Sequence, residues 1–205
     1  MEPHSQTDDT PGSRSILEGQ LRECYGRLVY THKTHEKCAD ILIKRFARIK
    51  FWQIVLSALT TAGFLGVVFG VGGAAAIVGV CLSTTLLAIN SFTKKYDLGE
   101  IAQKHKRTAS DLWLIREKYL SLLVDLRMKE KPLETLQEKR DELAEALHRI
   151  YASAPTTTDT GYKKAQVALQ QLEDMTFSDR EIDAFLPNEL RRGNSTQPDD
   201  PPKTQ

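Results

Sequence analysis

Between Phe51 and Thr93 the sequence contains no Asp, Glu, Lys, Arg or His, an uncharged run of 43 residues in a chain of 205. Other things are scarce as well. The three cysteines, Cys24, Cys38 and Cys81, stand singly, which fits a reducing cytosol better than a disulfide framework. Lys plus Arg exceed Asp plus Glu by one, so no global charge draws the chain to nucleic acid, and no direct nucleic-acid binding is expected. The first fifty residues are polar and carry both signs of charge, which excludes a cleavable signal peptide ahead of the apolar run.

Catalytic patterns are missing too. Gly66 to Gly73 is rich in glycine but lacks the Lys-Ser/Thr of a phosphate loop. His35-Glu36 is not a zincin motif, because Ala39 stands where the second histidine is needed. With no nucleophile motif, no paired metal ligands and no carboxylate pair on one rigid element, the expectation is a protein that is not an enzyme and has no catalytic, cofactor-binding or metal-ligating residues.

The uncharged run is about twice what one membrane span requires, since about 20 residues cross the hydrocarbon core. It divides at Gly70-Val71-Gly72-Gly73 into two arms, 51–69 and 74–92. Each arm rises roughly 28 Å as a helix, enough to cross. Gly70, Gly72 and Gly73 form the expected hairpin turn. A buried helix pair in a soluble core is the competing reading, but a domain of this size cannot cover such a run on all sides. Lys44, Arg45, Arg48 and Lys50 precede the first arm and Lys94 and Lys95 follow the second, while the turn is uncharged. The positive-inside rule therefore places both flanks, and both termini, in the cytoplasm.

Small residues recur at every fourth position, as Ala58, Ala62, Gly66 and Gly70 in the first arm and Ala75, Gly79 and Ser83 in the second. Such ladders let helix backbones approach in lipid, either within the hairpin or between subunits. Gln53 and Asn90 lie at one depth near the cytoplasmic interface, where they can bond across the hairpin, line a polar constriction or simply sit at the membrane surface. A pore would need several hairpins, lined by Ser57, Thr60, Thr61, Thr84 or Ser91.

Outside the run the periodicity is helical. Leu17, Leu21, Cys24, Leu28, Cys38, Leu42 and Ile49 alternate three and four apart across the segment 15–50, which reads as one long helix entering the first span. Leu98, Ile101, His105, Thr108, Leu112, Ile115, Tyr119, Leu122 and Leu126 keep the same rhythm and predict a second helix ending before Pro132. Tethered by the hairpin, the two should pack antiparallel as a stalk.

His35, His105 and Thr108 all lie about 18 to 22 Å from the membrane boundary at helical rise, and so share a polar layer. A metal site or pH switch using His32, His35 and Cys38 is conceivable there; polar residues that fix register are the commoner explanation.

Leu133, Leu136, Leu143, Leu147 and Ile150 mark a third helix, its seam interrupted by Arg140, within the cytoplasmic helical region 94–153. The segment 154–191 reads as a linker, Ala154 to Gly161, and short helices. One carries Tyr162, Ala165, Leu169 and Leu172; another is capped by Ser178 with Glu181 and presents Ile182, Phe185 and Leu186. Residues 1–14 and 192–205 read as disordered.

The fold class is thus an all-α membrane protein, a two-helix transmembrane hairpin continuous with a cytoplasmic antiparallel helical bundle. The segment LGEIAQKHKRTASDLWLIREKYLSLLVD, Leu98 to Asp125, directly after such a hairpin, resembles the bacterial SLATT family, whose name denotes a SMODS and SLOG associating two-transmembrane effector domain. The segment YTHKTHEKCAD, Tyr30 to Asp40, is similar to its upstream half.

The resemblance spans about Ile16 to Tyr151. It implies an inner-membrane effector of antiviral conflict systems that oligomerises on an infection signal, perforates the membrane and aborts the infection. Its implied partners are the lipid bilayer, further copies of itself, and a nucleotide second messenger or the protein that senses one. It supplies no catalytic or ligand-contacting residue. The alternative is a passive membrane anchor or scaffold that recruits a cytosolic partner through the bundle.

Overall fold

A computed structural model describes residues 10–70, 73–172 and 177–185, and all regular structure among them is helical. The chain forms two compact units, Met1–Gln166 and Val167–Gln205.

In the first unit, helix α1 runs without interruption over Pro11–Val68, 58 residues, which is about 87 Å at helical rise. It starts four residues before the expected Ser15. Thr10 caps it, accepting a hydrogen bond from the Ser13 amide at 3.2 Å, and Pro11 sits in the first turn, where its missing N–H costs nothing. No proline or glycine pair breaks α1 at the basic collar, so soluble and apolar segments are a single rod.

Gly70, at φ +88°, takes the left-handed conformation that reverses the chain. Gly72 lies outside the described residues, and α2 covers Gly73–Lys95.

The return leg is jointed where the outgoing leg is not. Asp97 interrupts it, its Oδ1 accepting from the Glu100 amide at 2.9 Å, and α3 spans Leu98–Met128. The side chain that caps α3 also ends the continuity from the second arm. Lys129, at φ 58°, closes α3, and α4 spans Leu133–Ser153.

The seam positions of α1 and α3 meet as the periodicity requires. Leu17, Leu21 and Leu28 pack with Leu112, Ile115, Tyr119, Leu122 and Leu126, and α4 adds Leu133, Leu136 and Leu143. Arg140 interrupts the α4 seam because it serves a different purpose: its Nη1 donates to Gln20 Oε1 on α1 at 3.2 Å. Arg14 Nη2 donates to the Lys131 carbonyl at 2.9 Å, tying the start of α1 to the α3–α4 turn. Tyr119, wholly buried, has its hydroxyl pushed up to about 12 by burial and by its contact with Cys24.

Helix α5, Asp159–Gln170, begins inside the segment expected to be linker. In the second unit, α6 covers Asp179–Phe185. Ser178 and Glu181 form the reciprocal capping box, with the Ser178 amide on Glu181 Oε2 at 2.8 Å and the Glu181 amide on Ser178 Oγ at 3.3 Å. Phe177, Ile182 and Phe185 of that unit are exposed. Leu186, residues 1–9 and the tail 192–205 lie outside the described residues.

Candidate functional site

Two places bring predicted residues together: the hairpin and the polar layer of the stalk. In the hairpin, the half-buried positions of α1 include Gln53, Leu56, Thr60, Gly63 and Gly66, and those of α2 are Gly79, Leu82, Leu86, Ile89 and Thr93. Their three-and-four spacing identifies the faces on which the arms pack. Of the small-residue ladders, Gly66 and Gly79 lie on these faces, whereas Ala58, Ala62, Gly70 and Ser83 are exposed. Nothing is described of the Ala75 side chain.

A Cβ added at Gly63 or Gly79 would meet nothing within 4 Å. The arms therefore do not need these glycines for close approach to one another.

Gln53 and Asn90 bond across the hairpin. Gln53 Nε2 donates to Asn90 Oδ1 at 2.8 Å and to Thr93 Oγ1 at 3.3 Å. The threonines deeper in the arms satisfy themselves: Thr60, Thr61, Thr84 and Thr85 each donate to the carbonyl four residues earlier, at 2.8 to 3.0 Å. That leaves them free to face either lipid or water.

Between the arms run two open stretches of groove. One, of about 580 Å³, is lined by Lys50, Gln53, Ser57, Thr61, Leu86 and Asn90 among others. The second, of about 370 Å³, is lined by Thr60, Gly63, Phe64, Ala76, Gly79 and Ser83 among others.

In the stalk, His35 and His105 meet across the α1–α3 seam with their Nδ1 atoms 2.9 Å apart, each 2 % exposed. One ring must donate and the other accept, so the pair holds opposite tautomers. Thr108 is buried in the same layer, but its hydroxyl donates to the Lys104 carbonyl of its own helix at 3.0 Å. Burial, then His105, then His32 push His35 down to about 4. Burial lowers His105 as well. Both are neutral near pH 7, and a proton on either places a charge in the seam.

His32, which the sequence placed beside this layer at i−3 from His35, joins it. It is buried, and its Nδ1 has no hydrogen-bond partner in the structure. Its Nε2 lies 3.9 Å from Glu36 Oε1, and its pKa is lowered first by burial, against the pull of Glu36.

Cys38 meets the segment that follows α4. Its Sγ lies 3.7 Å from Thr158 Oγ1, and a Cβ built on Gly161 would come within 2.3 Å of it. Among the described residues no group of three or more His, Cys, Asp or Glu is arranged to hold a metal ion.

Gly161 is the residue that sequence reasoning missed. Read as the end of a linker, it is instead where α5 seats on α1, with Thr158 Oγ1 accepting from its amide at 3.1 Å. Tyr162 stacks on Tyr30, ring centroids 6.2 Å apart. The segment thus forms a strap across α1, one turn from the buried histidines. A glycine within a polar linker was the available signal, since such a glycine marks either a turn or a close approach.

A family model described as SMODS and SLOG-associating 2TM effector domain family 4 matches residues 17–181. The chain belongs to this family. No curated protein and no solved structure matches it.

Proposed function

We propose that this effector-family member sits in the bacterial inner membrane with both termini cytoplasmic, and that copies of its hairpin assemble into a leak when the bundle receives an infection signal. The observation that carries the reading is the unbroken helix α1, which places the buried seam at Leu17 to Cys38 and the uncharged arm at Phe51 to Val68 on one rod. A change in how α1 packs in the stalk must therefore reach the membrane. A signal drives it only by binding one packing better than the other. A nucleotide second messenger, or a protein that senses one, is the class of signal we favour, in keeping with the family's named association.

Two features support assembly. Gly63 and Gly79 in the arms have open space where a side chain would stand, so the hairpin itself does not use them. The outer face of α3 also shows Trp113, Leu120, Val124 and Met128 exposed at helical spacing, opposite the seam. That second stripe equally favours a scaffold reading, in which it recruits a cytosolic partner and no leak forms.

Following a potential-sensitive dye in bacteria that express the full chain, through phage infection, separates the two. The effector reading expects depolarisation that is lost on changing Gly66 and Gly70 to Leu. The scaffold reading expects steady polarisation and function that survives those changes so long as insertion does. Polarisation that never changes overturns the effector reading.

A further inference from the structure

Resting on that effector reading, we propose that the passage made by assembled hairpins conducts anions in preference to cations, and that Lys50 sets the preference. From residue 41 to residue 96 there is no Asp or Glu, while Lys44, Arg45, Arg48, Lys50, Lys94 and Lys95 all fall in that window. The positive-inside rule accounts for the collar as a topology signal. It does not account for where one of these charges stands.

Lys50 is at the foot of the groove between the arms, in line with Gln53, Ser57 and Thr61 at successive turns of α1 and facing Asn90 of α2. Among the residues lining both stretches of groove it is the one charged side chain. Its Nζ lies 5.4 Å from the centroid of the Phe46 ring, one turn toward the stalk, which holds the charge at the mouth rather than in the hydrocarbon.

The polar stretch from Lys50 to Thr61 rises about 16 Å, roughly half the hydrocarbon core. Along it the polar side chains of Gln53, Ser57, Thr61 and Asn90 alternate with Ile54, Ala58 and Leu86, and none of these carries a charge of either sign. Within the groove, an ion entering past the basic collar therefore meets one positive group per subunit and no carboxylate. In a passage walled by low dielectric, a ring of such groups concentrates anions and repels cations, as basic rings do in anion pores. The ring acts through a field that salt screens over about 8 Å at physiological ionic strength, so the preference weakens as salt rises.

The test is a reversal-potential measurement on the purified full chain in bilayers of uncharged phosphatidylcholine and phosphatidylethanolamine, under a KCl gradient. Wild type is expected to favour chloride over potassium by about threefold or more, Lys50→Gln to abolish the preference and Lys50→Glu to invert it. Lys95→Glu, outside the groove, should change it less. Currents that do not discriminate chloride from potassium, or whose preference ignores both Lys50 variants, overturn the inference and leave the effector reading standing. Absence of current at every protein density overturns the inference, while the effector reading stands or falls on the dye measurement in infected cells.

Discussion

The stalk and the hairpin are built from the same helix and obey opposite rules of burial. In the stalk, Leu21, Leu28, Leu112 and Leu136 have no exposed surface. In the hairpin, Ile54, Phe64, Ile77 and Leu87 are each about two-thirds exposed within the chain. Water drives the first group together; lipid tails, as apolar as the side chains, give the second group no such reason to meet. The comparison shows that α1 changes solvent at the collar without changing conformation. Burial within the chain is concentrated in the stalk, and the hairpin leaves most of its apolar surface outward.

The largest test of that contrast is a matched truncation. Leu112→Ala in the stalk should cost about 2 to 5 kcal/mol, read from chemical denaturation of the detergent-solubilised chain. Leu87→Ala in the hairpin should leave the same denaturation midpoint nearly unmoved.

Acidification comes next, and it should strike the stalk alone. His35 and His105 have folded pKa values below the ordinary histidine value. The unfolded chain therefore binds more protons at mildly acid pH, and stability is complete above about 6.5 and lost as pH falls toward the His35 value of about 4. Thermal melts across that window should drop steadily for wild type. They should be flatter for a double change of His35 and His105 to Asn.

A smaller effect is expected at the strap. Gly161→Val drives side-chain atoms into Cys38 Sγ, where even a Cβ would stand at 2.3 Å. Overpacking of this kind costs about 1 to 3 kcal/mol. It should appear as faster proteolysis between α4 and α5, with the α1–α3 seam still protected from hydrogen exchange.

The smallest effect belongs to the hairpin. Gly79→Ala adds a methyl group that touches nothing in the chain. Stability should change by less than about 0.5 kcal/mol. A large loss of leakage at unchanged stability would sharpen the contrast by showing that the space serves another copy.

The seam of the stalk was legible because heptad spacing names the buried side of a helix. Leu17, Leu21, Leu28 and Cys38 on α1, and Leu112 through Leu126 on α3, are buried where the rhythm puts them. The meeting of His35 with His105 was legible for a different reason. Equal distance from two ends of a tether fixes which residues face each other, and helical rise converts sequence number into that distance. Less legible was the packing face of the hairpin. Small residues occur on more than one side of each arm, and nothing in their spacing says why Gly66 is half-buried while Ala58 and Ala62 look outward.

By itself, then, the sequence determined the solvent of each segment, the helical character of the chain, and the register of the stalk, because charge and hydrophobic period act locally and are written residue by residue. Only the tertiary structure decided that His32 is buried with an unpartnered nitrogen and that Gly161 closes on Cys38. These depend on contacts between residues as much as 123 positions apart, and no local pattern encodes which distant surface a glycine or a histidine will meet.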